Sequence, residues 1–106
     1  MQKSDDMLIK EMVDKLKALY KPELVMLFGS KAEDSDDAES DIDLLIVKQT
    51  KKRPLWRRIE VRKILGTDQP LDVIVYTPDE FSQLKKSERS SILYMLKNGK
   101  ILFEKK

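Results

Sequence analysis

The 106-residue chain contains no cysteine and no histidine. The first absence excludes disulfides, thiolate metal sites and cysteine nucleophiles. The second removes the usual general base, the usual transition-metal ligand and every Ser-His or Cys-His mechanism. Any chemistry must therefore run on carboxylates, hydroxyls, Lys, Arg or a bound metal. A metal held by such side chains would be a hard cation of the Mg²⁺, Mn²⁺ or Ca²⁺ type, because only oxygen ligands are on offer. Long apolar runs are also missing. None approaches the roughly 20 residues of a membrane span, and the opening MQKSDDMLIK lacks the apolar core of a signal peptide. The expectation is a cytoplasmic protein without a membrane partner.

The length suits one domain over residues 1–106, able to hold one modest core. Charged residues make up 38% of it, and the net charge of +2 hides a strong segregation. Lys31 to Asp43 carries seven acids and one base, whereas Lys48 to Lys63 carries eight bases and one acid.

Periodicity places the elements. Ile9, Met12, Val13, Leu16, Leu19 and Tyr20 recur at helical spacing, which predicts an amphipathic helix from about Ser4 to Tyr20. Leu24 to Phe28 reads as a strand closed by Gly29. Ile42 to Val47 is apolar almost throughout, as expected of a central strand buried on both faces. Pro54 to Leu65 reads as a helix stopped by Gly66, and Leu71 to Tyr76 as a third strand. Thr77, Pro78 and Glu80 form a capping box with proline in the first helical position. A helix over Ser90 to Lys97 and a strand from Lys100 to Phe103 complete the order. Together these imply an α/β fold with a small sheet covered by helices.

The stretch LFGSKAEDSDDAESDIDLLIV carries the chemistry. Asp41 and Asp43 flank Ile42 at the start of a strand, so their side chains share one face with Cα atoms roughly 6.5–7 Å apart. Like charges so placed repel unless a cation sits between them. Asp72, inside the apolar PLDVIV, has the same setting, so three carboxylates converge if the two strands are neighbours. Such a cluster suits two divalent ions and in-line phosphoryl or nucleotidyl transfer. Gly29 allows close approach of a phosphate, and Ser30 adds a hydroxyl at the strand exit. Asp34, Asp36, Asp37 and Glu39 read as a solvated turn.

Gly-Ser, ten residues, Asp-x-Asp and a later strand Asp resemble the signature of the DNA polymerase β-like nucleotidyltransferases. The length and element order resemble the minimal members in particular, the antitoxin partners of HEPN-domain toxins. The resemblance implies a palm-like mixed sheet and Mg²⁺-dependent transfer of AMP from ATP to a hydroxyl of the toxin partner. Carried over, Asp41, Asp43 and Asp72 would hold two Mg²⁺ ions, with Asp72 also activating the acceptor. Gly29 and Ser30 would contact the triphosphate. Relatives often have a basic residue and a glycine where this chain has Glu33 and Asp34, a difference that bears on triphosphate affinity. The alternatives are an antitoxin that only binds, with a vestigial site, or a nucleotidyltransferase for a small-molecule or RNA acceptor.

The basic segment leaves three readings open: a solvated helix face with Trp56 in the core, docking on an acidic partner, or nucleic-acid binding through Lys48 to Lys63. No glycine-rich loop or aromatic platform supports RNA readout. Tyr20, Tyr76 and Tyr94 fall on apolar faces and read as core.

Overall fold

The computed structural model describes residues 3–28, 42–66, 71–87 and 97–105. Its elements are α1 (Lys3–Lys15), a π-helical turn (Leu16–Tyr20), β1 (Leu24–Phe28), β2 (Ile42–Val47), α2 (Pro54–Leu65), β3 (Leu71–Tyr76), α3 (Pro78–Lys86) and β4 (Lys100–Glu104). The strands lie in the order β3-β2-β1-β4. β1 runs antiparallel to both β2 and β4, whereas β2 and β3 are parallel. Parallel neighbours need a crossover, and α2 supplies it. The sheet is thus mixed, as the family resemblance implies. The helix expected over Ser90 to Lys97, with Tyr94, falls largely outside the described residues.

Alternation along each strand sorts the side chains onto two faces. Val25, Leu27, Ile42, Leu44, Ile46, Leu71, Val73 and Val75 face one way and pack with Met12, Val13, Leu16 and Tyr20 before β1 and Val61 and Leu65 of α2. Met26, Phe28, Leu45 and Val47 face the other way, joined by Leu24, Tyr76 and Phe81. β2 contributes to both clusters, which is why its sequence is apolar almost without interruption.

The end of α1 departs from the expected pattern. Leu19 is 68% exposed and Tyr20 is buried. The cause is the π turn: Lys21 N–H donates to Leu16 O, five residues back, at 2.7 Å. The wider turn brings Tyr20 rather than Leu19 back under Leu16. Lys21 then leaves the helix in the left-handed region at φ 56°. The Tyr20 hydroxyl is buried with no hydrogen-bond partner among the described residues. Burial, with a smaller contribution from Glu60, pushes its pKa up to about 12.

The basic segment divides into structural and exposed members. Lys48 Nζ donates to Tyr20 O at 2.6 Å and stands over the Tyr20 ring. Arg57, read in sequence as part of a cationic face, is buried at 6% exposure. Its guanidinium donates to Lys52 O at 2.6 Å, Val75 O at 3.1 Å and the Glu80 carboxylate at 2.8 Å. Glu80 is held in turn by the capping box: Thr77 N–H donates to it, and Thr77 Oγ1 accepts from Glu80 N–H. Arg62 donates to Leu71 O at 2.5 Å. Trp56 is not in the core; it is 58% exposed.

These contacts set three expectations for stability. Arg57→Ala leaves Val75 O without its donor and opens a cavity, so urea unfolding should show a loss of about 2–4 kcal/mol. The Arg57 hydrogen bond, helped by Thr77, lowers the Glu80 pKa. A lowered carboxyl contributes stability above its ordinary pKa, 4.5 for Glu80, and loses it as pH falls through the lower folded value. Arg57→Ala should flatten that acid-side dependence, which unfolding curves at a series of pH values would reveal. Tyr20→Phe removes an unpaired buried hydroxyl and should leave stability unchanged or raise it by up to about 1 kcal/mol.

Candidate active site

β1 ends at Phe28, whose partner across the strands is Asp43 of β2. On the other side of β2, Asp43 is in register with Asp72 of β3. The two aspartates therefore stand side by side on one sheet face, with Cα atoms on neighbouring strands about 4.8 Å apart. Asp43 is half-buried and Asp72 exposed. Ile42, between the expected aspartates, points into the opposite core and is fully buried.

Local sequence fixes this placement. On β3 the inward residues Leu71, Val73 and Val75 are buried, while Asp72 and Ile74 face outward. A slip of one residue would carry Asp72 into the core and an apolar side chain out of it. The ends of β3 are pinned by Arg62 on Leu71 O and Arg57 on Val75 O, two contacts that sequence reasoning missed. Nothing in a list of basic residues distinguishes an inward arginine from an outward one; only the helical phase with Val61 and Leu65 would have done so.

Asp41, Gly29 and Ser30 lie outside the described residues, as do Glu33, Asp34, Asp36, Asp37 and Glu39. Among the described residues no group of three or more His, Cys, Asp or Glu is placed to hold a metal ion. Two carboxylates brought side by side nevertheless suit a hard divalent cation, since both donors are oxygen and both carry charge. No helix of the described chain is long and apolar enough to cross a membrane.

This arrangement has a known counterpart. The family model for polymerase beta nucleotidyltransferases matches residues 9–106. The chain belongs to that family. No curated protein matches it by sequence. Among solved structures, a chain assigned as a nucleotidyltransferase from Sulfolobus solfataricus is 23% identical, with a TM-score of 0.62 over 92% of this chain and 78% of its own. A toxin-antitoxin structure with AMP-PNP is 20% identical, with a TM-score of 0.62 over 92% of this chain and 73% of the other. A complex of tri-AMPylated Shewanella oneidensis HEPN toxin with MNT antitoxin gives 18% identity and a TM-score of 0.57, over 93% of this chain and 71% of the other. At these identities the likeness establishes the nucleotidyltransferase fold.

The paired carboxylates generate a test. Like charges directly opposite each other destabilise a strand pair by about 0.2–1 kcal/mol. In the presence of EDTA, Asp72→Asn should therefore melt no lower than the natural chain and slightly higher. A marked loss of stability would instead assign Asp72 a structural role.

Proposed function

We propose that this nucleotidyltransferase moves AMP from ATP to a hydroxyl of a partner protein, and that the partner is a HEPN-type toxin for which it is the antitoxin. The observation that carries the reading is the register of Asp43 with Asp72 on one face of this family's sheet. The fold relatives that include an AMP-PNP complex and an AMPylated HEPN toxin support the nucleotide and the acceptor.

Asp41, Asp43 and Asp72 would hold two Mg²⁺ ions, which supply Lewis-acid stabilisation of the charge that develops at the phosphorus. Gly29 and Ser30 follow β1 directly in the sequence. They bind the triphosphate, through a backbone that approaches closely and a hydroxyl that donates. Asp72, the more exposed of the described pair, accepts the proton of the acceptor hydroxyl. The oxygen of the acceptor hydroxyl forms a bond to the α-phosphorus as the bond from that phosphorus to the bridging oxygen breaks. Pyrophosphate leaves with the electron pair. The chain supplies charge and orientation and forms no covalent intermediate.

Labelled ATP tests the reaction. Incubated with Mg²⁺ and its cognate HEPN partner, the chain should transfer label from the α-phosphate to that partner and none from the γ-phosphate. Asp43→Asn should slow transfer by roughly 10²–10³. Ser30→Ala should cost less, because backbone N–H groups still hold the phosphates. Transfer of the γ label would mean a kinase-like reaction. Suppression of the toxin without any transfer would mean masking by binding alone, the reading that Glu33 and Asp34 favour.

A further inference from the structure

A groove of about 590 Å³ runs along the outer edge of β3, between α2 and α3. Pro54 and Arg58 of α2, Ile74 and Tyr76 of β3 and Leu84 of α3 line it, with the Arg57–Glu80 pair. Ile74 is 40% exposed, and Leu55 beside the groove's Pro54 is 59% exposed. Ile74 also shares the sheet face of Asp72, two residues along the strand, so their Cα atoms are roughly 6.5–7 Å apart. The groove thus joins the back of the sheet, where α2 lies, to the face that bears the aspartates.

We propose that this groove is the docking site of the acceptor protein. It takes an apolar side chain flanked by carboxylates and leads the acceptor hydroxyl toward Asp72. The proposal rests on the protein acceptor argued above.

The edge itself excludes one kind of occupant. Lys48 N–H donates to Tyr76 O, so even-numbered carbonyls of β3 face β2 and odd-numbered ones face outward. Of those, Leu71 O is taken by Arg62 and Val75 O by Arg57. An added strand would find two of these three outward acceptors already taken, with only Val73 O between them left to pair, so the occupant binds chiefly by side chains. Charge excludes a second. Glu80, the acid of the groove, is already engaged by Arg57 at 2.8 Å. Arg58 has no matching charge among the described residues, and the exposed Arg53 stands close by in sequence. A symmetric contact between two copies would set these arginines against their equivalents. An acidic, apolar segment of another protein meets neither obstacle. Bases of RNA would need stacking platforms; Pro54, Ile74 and Leu84 provide none, and the aromatic Tyr76 is partly buried against the Met26 cluster.

Calorimetry with its cognate HEPN partner, in EDTA and without nucleotide, tests docking apart from catalysis. Arg58→Glu and Ile74→Asp, with melting points unchanged, should each weaken binding by about 10-fold or more. Arg58→Glu should also flatten its salt dependence. Lys10→Glu on α1 is the charge control and should bind within about twofold of the natural chain, because exposed charges remote from an interface are screened. If the natural chain does not bind the HEPN protein, the acceptor reading falls and takes this proposal with it. If it binds and both groove variants bind equally well, the groove assignment alone is wrong. Loss of binding to a 20-nucleotide RNA instead of the protein, or self-association that depends on Ile74, would likewise overturn it.

Discussion

The parallel pairing of β2 with β3 is the constraint on which the rest depends. It sets Asp43 beside Asp72, and it forces the crossover that brings α2 over the sheet. The pairing has little freedom to slip. β2 buries side chains on both faces, and β3 buries Leu71, Val73 and Val75 on one. Displacing β3 by one residue would cost several apolar burials at once, each worth about 1.5–3 kcal/mol for a large side chain. Against that, the repulsion of two adjacent carboxylates is small. The core thus fixes the positions of the aspartates, which need not stabilise the fold themselves.

An edge strand that bears a site residue needs a second restraint, because only one of its sides is paired. Here α2 provides it. Arg62 and Arg57, five residues apart on the helix, reach the carbonyls of Leu71 and Val75 at the two ends of the strand. Arg57 also ties the strand to Lys52 before α2 and to Glu80 at the start of α3. An ion pair between a buried arginine and a carboxylate left open to solvent adds less net stability than its Coulomb energy suggests. What it adds is position: the first turn of α3, the end of β3 and the entry to α2 move together. Glu80 is also the capping-box residue of α3, so one carboxylate satisfies both helix and arginine.

Much of this was legible in the sequence, and the reasons differ by element. β3 was bounded correctly because Gly66 and the turn residues punctuate one end and the capping box the other. Gly66 does adopt a positive φ, 53°, at the end of α2. That β2 and β3 are neighbours stood only as the condition for the carboxylates to converge, and the parallel register supplies it for Asp43 and Asp72. The basic segment was misread because charge alone does not report direction. Arg57 turns inward, Lys48 and the exposed Arg62 bend their tips to carbonyl oxygens, and Leu55 and Trp56 turn out. Binary patterning assigns the opposite to Arg57, Leu55 and Trp56. Leu19 was misplaced for another reason: a π turn shifts the helical phase by one residue, and no residue type announces it.

These inversions share a physical logic. An arginine enters a core when carbonyl oxygens at an unpaired strand edge await a donor, because an unsatisfied buried carbonyl costs about 1–3 kcal/mol. α2 places Arg57 that way, while the exposed Arg62 bends its guanidinium back to Leu71 O. Its inward turns thereby carry charge that a typical amphipathic helix would display outside, and its first turn displays Leu55 and Trp56 instead. Exposed apolar side chains beside uncompensated arginines are poor solvent surface but good contact surface. The restraint that steadies Asp72 and the surface proposed to receive the acceptor are therefore two sides of one helix. Substitutions on its outward side can alter recognition while Arg57 and Arg62 keep the aspartates in place.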